Sequence, residues 1–187
     1  LTIDRDQLGI GKFSIATAKG VFPDGTPFSI PEDTSPPAPL DITDKDRDSR
    51  IYLALPVRQV GSLDVKAPGD EEGLGRYVTK EYEARDTAVE GNSTVLMRVG
   101  ELRVRLLTDN DELAEYACLG VGYVIETKVD KQIVLDEEFV PPMLDCAVSS
   151  TVSGFLNELK GLLHHRGEAL AGRVATSGRG GAADIAD

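Results

Sequence analysis

Two adjacent prolines, Pro141 and Pro142, separate two apolar periods that cannot share one element. Before them apolar residues recur at every second position in short runs, as at Val95, Met97 and Val99. After them Val152, Phe155, Leu156, Leu159, Leu162, Leu163, Leu170 and Val174 recur at spacings of three and four. A period of two belongs to strands and one near 3.6 to helices. Proline fixes φ and lacks the N–H that a ladder or a helix interior needs. The expected organisation is a β domain over 1–140, a stiff linker over 141–148, a helix over 149–175 and a flexible tail over 176–187. The tail, with Ser177, Gly178, Arg179, Gly180 and Gly181, has linker composition.

Within the first part the turn signals place the strands. Residues 1–30 read as β, and Pro23-Asp24-Gly25-Thr26 predicts a hairpin with a bulge at Gly25. The return strand is Pro27–Ile30. Residues 31–50 hold four prolines and a charged run, which suits an extended surface loop. Ile51–Val57 reads as a buried strand ending at an edge or bulge at Pro56. The glycines and proline of 61–75 predict a long loop. A polar strand follows from Tyr77, and Val95–Leu107 alternates with a break at Gly100. Tyr116–Val129 is a strand pair or one bent strand kinked at Gly120 and Gly122, with a turn at Asp130-Lys131 before Gln132–Leu135. About eight strands without alternating helices predict an antiparallel β-sandwich followed by one long amphipathic α-helix.

Ser149 or Ser150 can cap that helix. Its stripe is wider than a two-position heptad seam, so a multi-helix bundle suits it better than a two-stranded coil. Seven or eight such side chains put more than ~10 kcal/mol of burial at stake. The stripe is therefore expected to pack on the sandwich, on further helices or on other copies. Gly154, Gly161, Gly167 and Gly172 each weaken it by about 1 kcal/mol relative to alanine.

Composition narrows the chemistry. Acids outnumber bases 32 to 20, giving a formal charge of −12. That balance disfavours phosphate backbones and anionic membranes as partners. No apolar run is long enough to cross a bilayer. The two cysteines, Cys118 and Cys146, are expected to be reduced, buried thiols of a cytosolic protein. Asp44, Asp46 and Asp48 open like a calcium loop, but Ser49 and Leu55 stand where glycine and glutamate are needed. That stretch reads as a solvated charged loop. The three Gly-x-Gly pairs open no helix after a strand and read as turns and bulges. Asn92-Ser93-Thr94 fits a glycosylation sequon without secretory context. His164 and His165, adjacent on a helix, point about 100° apart and read as solvent-facing. Asp136, Glu137 and Glu138 could serve acid–base chemistry, but a solvated turn is the plainer reading. No catalytic set, cofactor site or metal site emerges, and function is expected to reside in surfaces.

Three motifs occur in order: Gly20-Val21-Phe22-Pro23-Asp24-Gly25-Thr26 with Ile30-Pro31; Ile51-Tyr52-Leu53-Ala54-Leu55-Pro56-Val57-Arg58; and Phe139-Val140-Pro141-Pro142-Met143-Leu144-Asp145. The series resembles the type VI secretion TssK (ImpJ/VasE) family. The following helix, with Leu159, Leu162, Leu163, Arg166, Glu168 and Leu170, also looks like the start of that family's helical region. The resemblance implies a sandwich like the shell domain of phage receptor-binding proteins, then a helical bundle, in a homotrimer. It implies a non-enzymatic cytoplasmic adaptor between the baseplate wedge proteins TssF and TssG and the membrane complex TssJ-TssL-TssM. In the family the N-terminal region faces the baseplate, and a C-terminal domain meets the membrane complex. The start at Leu1, without the family's opening segment, and the Gly-rich end read as part of a longer protein. Pro23, Asp24 and Gly25 are expected to set a structural turn, Pro141 and Pro142 to set the linker angle, and Val152 to Leu170 to form the helix-packing or oligomer interface. A ligand- or glycan-binding sandwich module, similar to phage receptor-binding proteins, is the alternative; the lack of any Trp argues against a sugar-stacking face.

Overall fold

The computed structural model describes residues 1–59, 61, 64–66, 74–85 and 94–180. The chain divides into two units, Leu1–Pro142 and Met143–Asp187.

The first unit is β-rich. In chain order it holds β1 (Thr2–Ile3), α1 (Arg5–Leu8), β2 (Lys12–Phe13), β3 (Ile15–Val21), β4 (Pro27–Ile30), β5 (Leu40–Asp41) and β6 (Ser49–Pro56). It continues with β7 (Val65–Lys66), β8 (Tyr77–Arg85), β9 (Thr94–Leu102), β10 (Arg105–Thr108), β11 (Tyr116–Thr127) and β12 (Ile133–Leu135). The sheet orders are β1-β3-β4, β10-β6-β11-β12, β2-β5 and β7-β8-β9. Every pairing is antiparallel except the two-residue match of β7 with β8. Alternation puts Ile51, Leu53 and Leu55 of β6 into one core with Phe13, Ile15 and Phe28 from the other strands. The β10-β6-β11-β12 sheet shares one apolar interior with β1-β3-β4 and β2-β5, which makes the expected sandwich. Each large side chain buried there contributes about 1.5–3 kcal/mol.

Several local expectations change. Asp4 caps the single turn α1 by accepting from the Asp6 and Gln7 backbone N–H groups, inside a stretch that reads as continuous β. Strand β6 is buried as expected, and it is central in its sheet, flanked by β10 and β11. Pro56 is tolerated because it is the last residue of the strand, and the Val57 N–H resumes bonding to the Glu115 carbonyl. Gly100 lies inside β9 opposite Thr79, and the break falls at Arg103-Val104. There the Arg103 N–H bonds the Arg76 carbonyl, so the chain leaves one sheet and enters another. The loop expected over 61–75 contains β7, and the one over 31–50 contains β5 and a short 3-10 turn at Asp44–Asp46. Much of the former stretch, and Asn92-Ser93, lie outside the described residues. Strand β11 is one bent strand, and its register against β6 shifts between Gly120 and Gly122.

Gly20 faces Phe28 across the β3–β4 pair, and a Cβ there would sit 3.1 Å from the Phe28 ring. Gly20→Val should therefore cost about 1–3 kcal/mol by overpacking. The expected result is a lower urea midpoint with an unchanged slope.

In the second unit Asp145 caps a short 3-10 turn, Cys146–Val148, by accepting the Ala147 N–H. Helix α2 then runs Ser150–Gly180, with the Ser149 hydroxyl accepting the Val152 N–H at its start. It extends past the expected end at Ala175 and through Ser177. No helix among the described residues is long and apolar enough to cross a membrane.

Candidate functional site

The β3–β4 turn is tied down from outside its own hairpin. The Phe22 N–H bonds the Thr26 carbonyl, the Gly25 N–H bonds the Phe22 carbonyl, and Gly25 takes φ +86°, a left-handed conformation that glycine adopts without strain. Asp24 accepts the Thr26 N–H through Oδ1. Its other oxygen, Oδ2, meets Arg76 Nη2 at 2.5 Å, and the same nitrogen donates to Thr26 Oγ1. Arg76 Nη1 donates to the Pro56 carbonyl at 2.6 Å. The Arg76 side chain is only 2% exposed, and its Nε has no partner among the described residues. One guanidinium thus joins the hairpin turn, the end of β6 and the start of β8. Burial pushes the Asp24 carboxyl up, but the Thr26 N–H, Arg76 and the Thr26 hydroxyl hold it below the ordinary carboxylate range. An open cleft of about 430 Å³ lies here between Gly25, Arg58 and Tyr77.

A second polar knot engages Asp46, while Asp44, Lys45, Arg47 and Asp48 are exposed as expected of a solvated loop. Asp46 Oδ2 accepts from the Thr43 N–H and hydroxyl, and Oδ1 from Thr108 Oγ1 and Asn110 Nδ2. Asp111 caps Thr108, and Asp109 accepts from the Arg50 N–H and the Tyr52 hydroxyl. Asp46 is therefore a cross-link between the entry to β6 and the turn after β10. Burial raises its pKa, and the Thr43, Asn110 and Thr108 donors outweigh that and lower it. Asp46→Ala should cost about 1–3 kcal/mol near neutral pH by leaving those donors unmet. Because the folded pKa is depressed, this contribution is complete above the ordinary carboxylate range and is lost as pH falls through the folded value. Urea melts at neutral and acid pH should show the gap between wild type and variant closing on acidification.

The remaining sequence candidates do not converge. Among the described residues no group of three or more His, Cys, Asp or Glu side chains could hold a metal ion. His164 is exposed and pairs with Glu168 one turn on, 3.4 Å away, and His165 is exposed beside it. Asp136 caps a turn by accepting the Glu138 N–H, while Glu137 and Glu138 face solvent. Both cysteines are free, but neither is fully buried. Cys118 is half-buried, and that burial raises its pKa. Cys146 is exposed and opens the 3-10 turn of the second unit.

The apolar stripe of α2 is the largest feature the sequence singled out. Phe155, Leu156, Leu159, Leu162, Leu163 and Leu170 are all exposed in the single chain, and Val152 is half-buried. Space is open beside each of the four helix glycines. Pro141 and Pro142 lie in the irregular stretch between β12 and the 3-10 turn. Arg76 is the residue that sequence reasoning missed. Its partners are 20, 50 and 52 positions away, and its only local signal is a lone cation among glycines.

The chain is thus a β-sandwich with a pinned hairpin, joined in sequence to a helix with an exposed apolar stripe. The chain belongs to the type VI secretion family described as "Bacterial Type VI secretion, VC_A0110, EvfL, ImpJ, VasE", whose model matches residues 1–187. It is 46% identical over all 187 residues to the type VI secretion system baseplate component TssK1 of Pseudomonas aeruginosa, covering 42% of that protein. It thus spans less than half of that curated relative. A crystal structure of TssK superposes with TM-score 0.84 at 35% identity, covering 94% of this chain and 40% of the other. A TssK-TssF-TssG baseplate subcomplex shares the fold, with TM-score 0.71 at 24% identity over 87% of this chain and 53% of that one.

Proposed function

We propose that this chain is the baseplate-facing portion of a TssK-type structural adaptor in the cytoplasm. The observation that carries the reading is the 46% identity with a baseplate component along every residue of the chain. In this reading the first unit meets the wedge proteins TssF and TssG, the proteins named with TssK in a subcomplex of the same fold. The second unit contributes its stripe to a bundle in a homotrimer, and Pro141 and Pro142 set the angle between the two parts. A further region of the longer protein reaches the membrane complex TssJ-TssL-TssM. The module acts by holding partners and not by turning over a substrate. The bare leucines of α2 support the bundle, since about 1.5–3 kcal/mol per side chain is recovered only when they are covered.

The test is co-expression of the tagged chain with TssF and TssG from its own secretion system. Retention of both through affinity and size-exclusion steps is the expected result. A folded chain that retains neither would defeat the reading.

A further inference from the structure

Strands β8 and β9 form a long pair whose two faces differ. The register sets Ala84 opposite Val95, Tyr82 opposite Met97 and Lys80 opposite Val99. Directly opposed residues share a face, so Tyr82, Val95, Met97 and Val99 make one apolar surface. All four are 36–58% exposed. The other face carries Glu81 opposite Arg98 and Glu83 opposite Leu96. An exposed apolar face of this kind marks an interaction site.

The outer edge of β9 is also open. The sheet order ends at β9, so among the described residues no strand pairs with its far side. That edge is nine residues long, Thr94–Leu102. It has no proline and no bulge in its pairing with β8, and its apolar face is bounded by charge at one end only, where Lys80 opposite Val99 pairs with Glu101. Unpaired backbone donors and acceptors in a row select an extended polypeptide, and the alternating side chains select its pattern.

Charge decides between occupants. Arg98 makes no ion pair among the described residues, and it lies on the strand next to the open edge. An added strand gains most by placing a carboxylate opposite it. A second copy cannot do so edge to edge. Keeping the apolar faces together in a twofold antiparallel pairing sets residues of like parity opposite one another. Arg98 then meets Thr94, Leu96, Arg98, Gly100 or Leu102 of the other copy, and never Glu101, the one acid of β9.

We propose that the open edge of β9 receives an extended segment of a partner protein as an added strand, apolar on the Met97 side and acidic opposite Arg98. The inference rests on the adaptor reading for the source of that partner.

The test is amide hydrogen exchange on the chain, free and bound to the TssF–TssG pair of its own system. Exchange across 94–102 should slow by roughly tenfold or more in the complex. Arg98→Glu should weaken capture of the pair by about tenfold or more, with Arg98→Lys retaining most of it. Met97→Lys should weaken it too, while β6 and β11 keep their protection and so report an intact sandwich. If the pair is captured with unchanged exchange over 94–102, this inference falls and the adaptor reading stands. If the pair is not captured, both fall. If protection of 94–102 appears in the free chain and grows with its concentration, the occupant is a second copy and the inference is wrong.

Discussion

Asp24→Ala lowers the unfolding free energy by about 3–5 kcal/mol, the expected loss when one member of a buried ion pair is removed. Arg76 is the member that suffers. Its side chain is 2% exposed while Asp24 is 31% exposed, so Asp24 can be hydrated when Arg76 is missing but Arg76 cannot when Asp24 is missing. The Pro56 carbonyl and the Thr26 hydroxyl still accept from the guanidinium, yet neither carries a countercharge. The double variant Asp24→Ala, Arg76→Met should recover part of the loss, because it leaves no orphan charge. Urea melts of the wild type, both single variants and the double variant measure the coupling directly. Additive single effects would show that the pair is not a unit. Acid has the same direction as the mutation. The Asp24 pKa is held low in the folded chain, so the pair contributes fully above the ordinary carboxylate range and fades as pH drops through the folded value. Loss of the tie should also be felt beyond the turn, since Arg76 directly precedes β8 and its carbonyl bonds the Arg103 N–H just after β9.

The contrast between that turn and its anchor shows what a sequence carries openly. The β3–β4 hairpin rests on residues within five positions of one another, where proline, aspartate and glycine each have a local conformational reason to be present. Strand periods in β6, β9 and β11 are local in the same way, because alternation is visible inside each run. Arg76 and Asp46 are not. A lone arginine after a glycine-rich stretch and one aspartate among three gain meaning only when the fold brings Asp24 or Asn110 beside them. Strand neighbours are equally hidden. Pro56 marks where β6 ends, but nothing in the run says that β10 and β11 lie on either side of it. Gly100 points to a corner, but the chain turns at Arg103-Val104, where a switch of sheets needs a backbone partner and not a glycine. Solvent exposure of Val95, Met97 and Val99 could not be read from their alternation, since period two announces an apolar face without saying what covers it.

The helix stripe raises that question most sharply, and it yields the other large effect. Leu159 and Leu163 are 41% and 62% exposed in the single chain. A charge at either position therefore costs the isolated fold little. In a bundle the same charges would be buried against other helices, where an unpaired carboxylate is strongly unfavourable. The leucine burial lost by replacing both amounts to roughly 3–6 kcal/mol per chain, a factor of at least about a hundred in association. Leu159→Asp, Leu163→Asp is accordingly expected to leave the urea melt of the β unit unchanged and to abolish self-association. Light scattering should then give the 20.1 kDa mass of one chain, where the wild type gives a multiple of it. Glu158→Gln, at a neighbouring position outside the stripe, serves as the control and should leave the oligomer intact. Equal masses for wild type and double variant would show that the stripe does not drive assembly, and a parallel fall in β-unit stability would show that its leucines belong to the fold of the single chain instead.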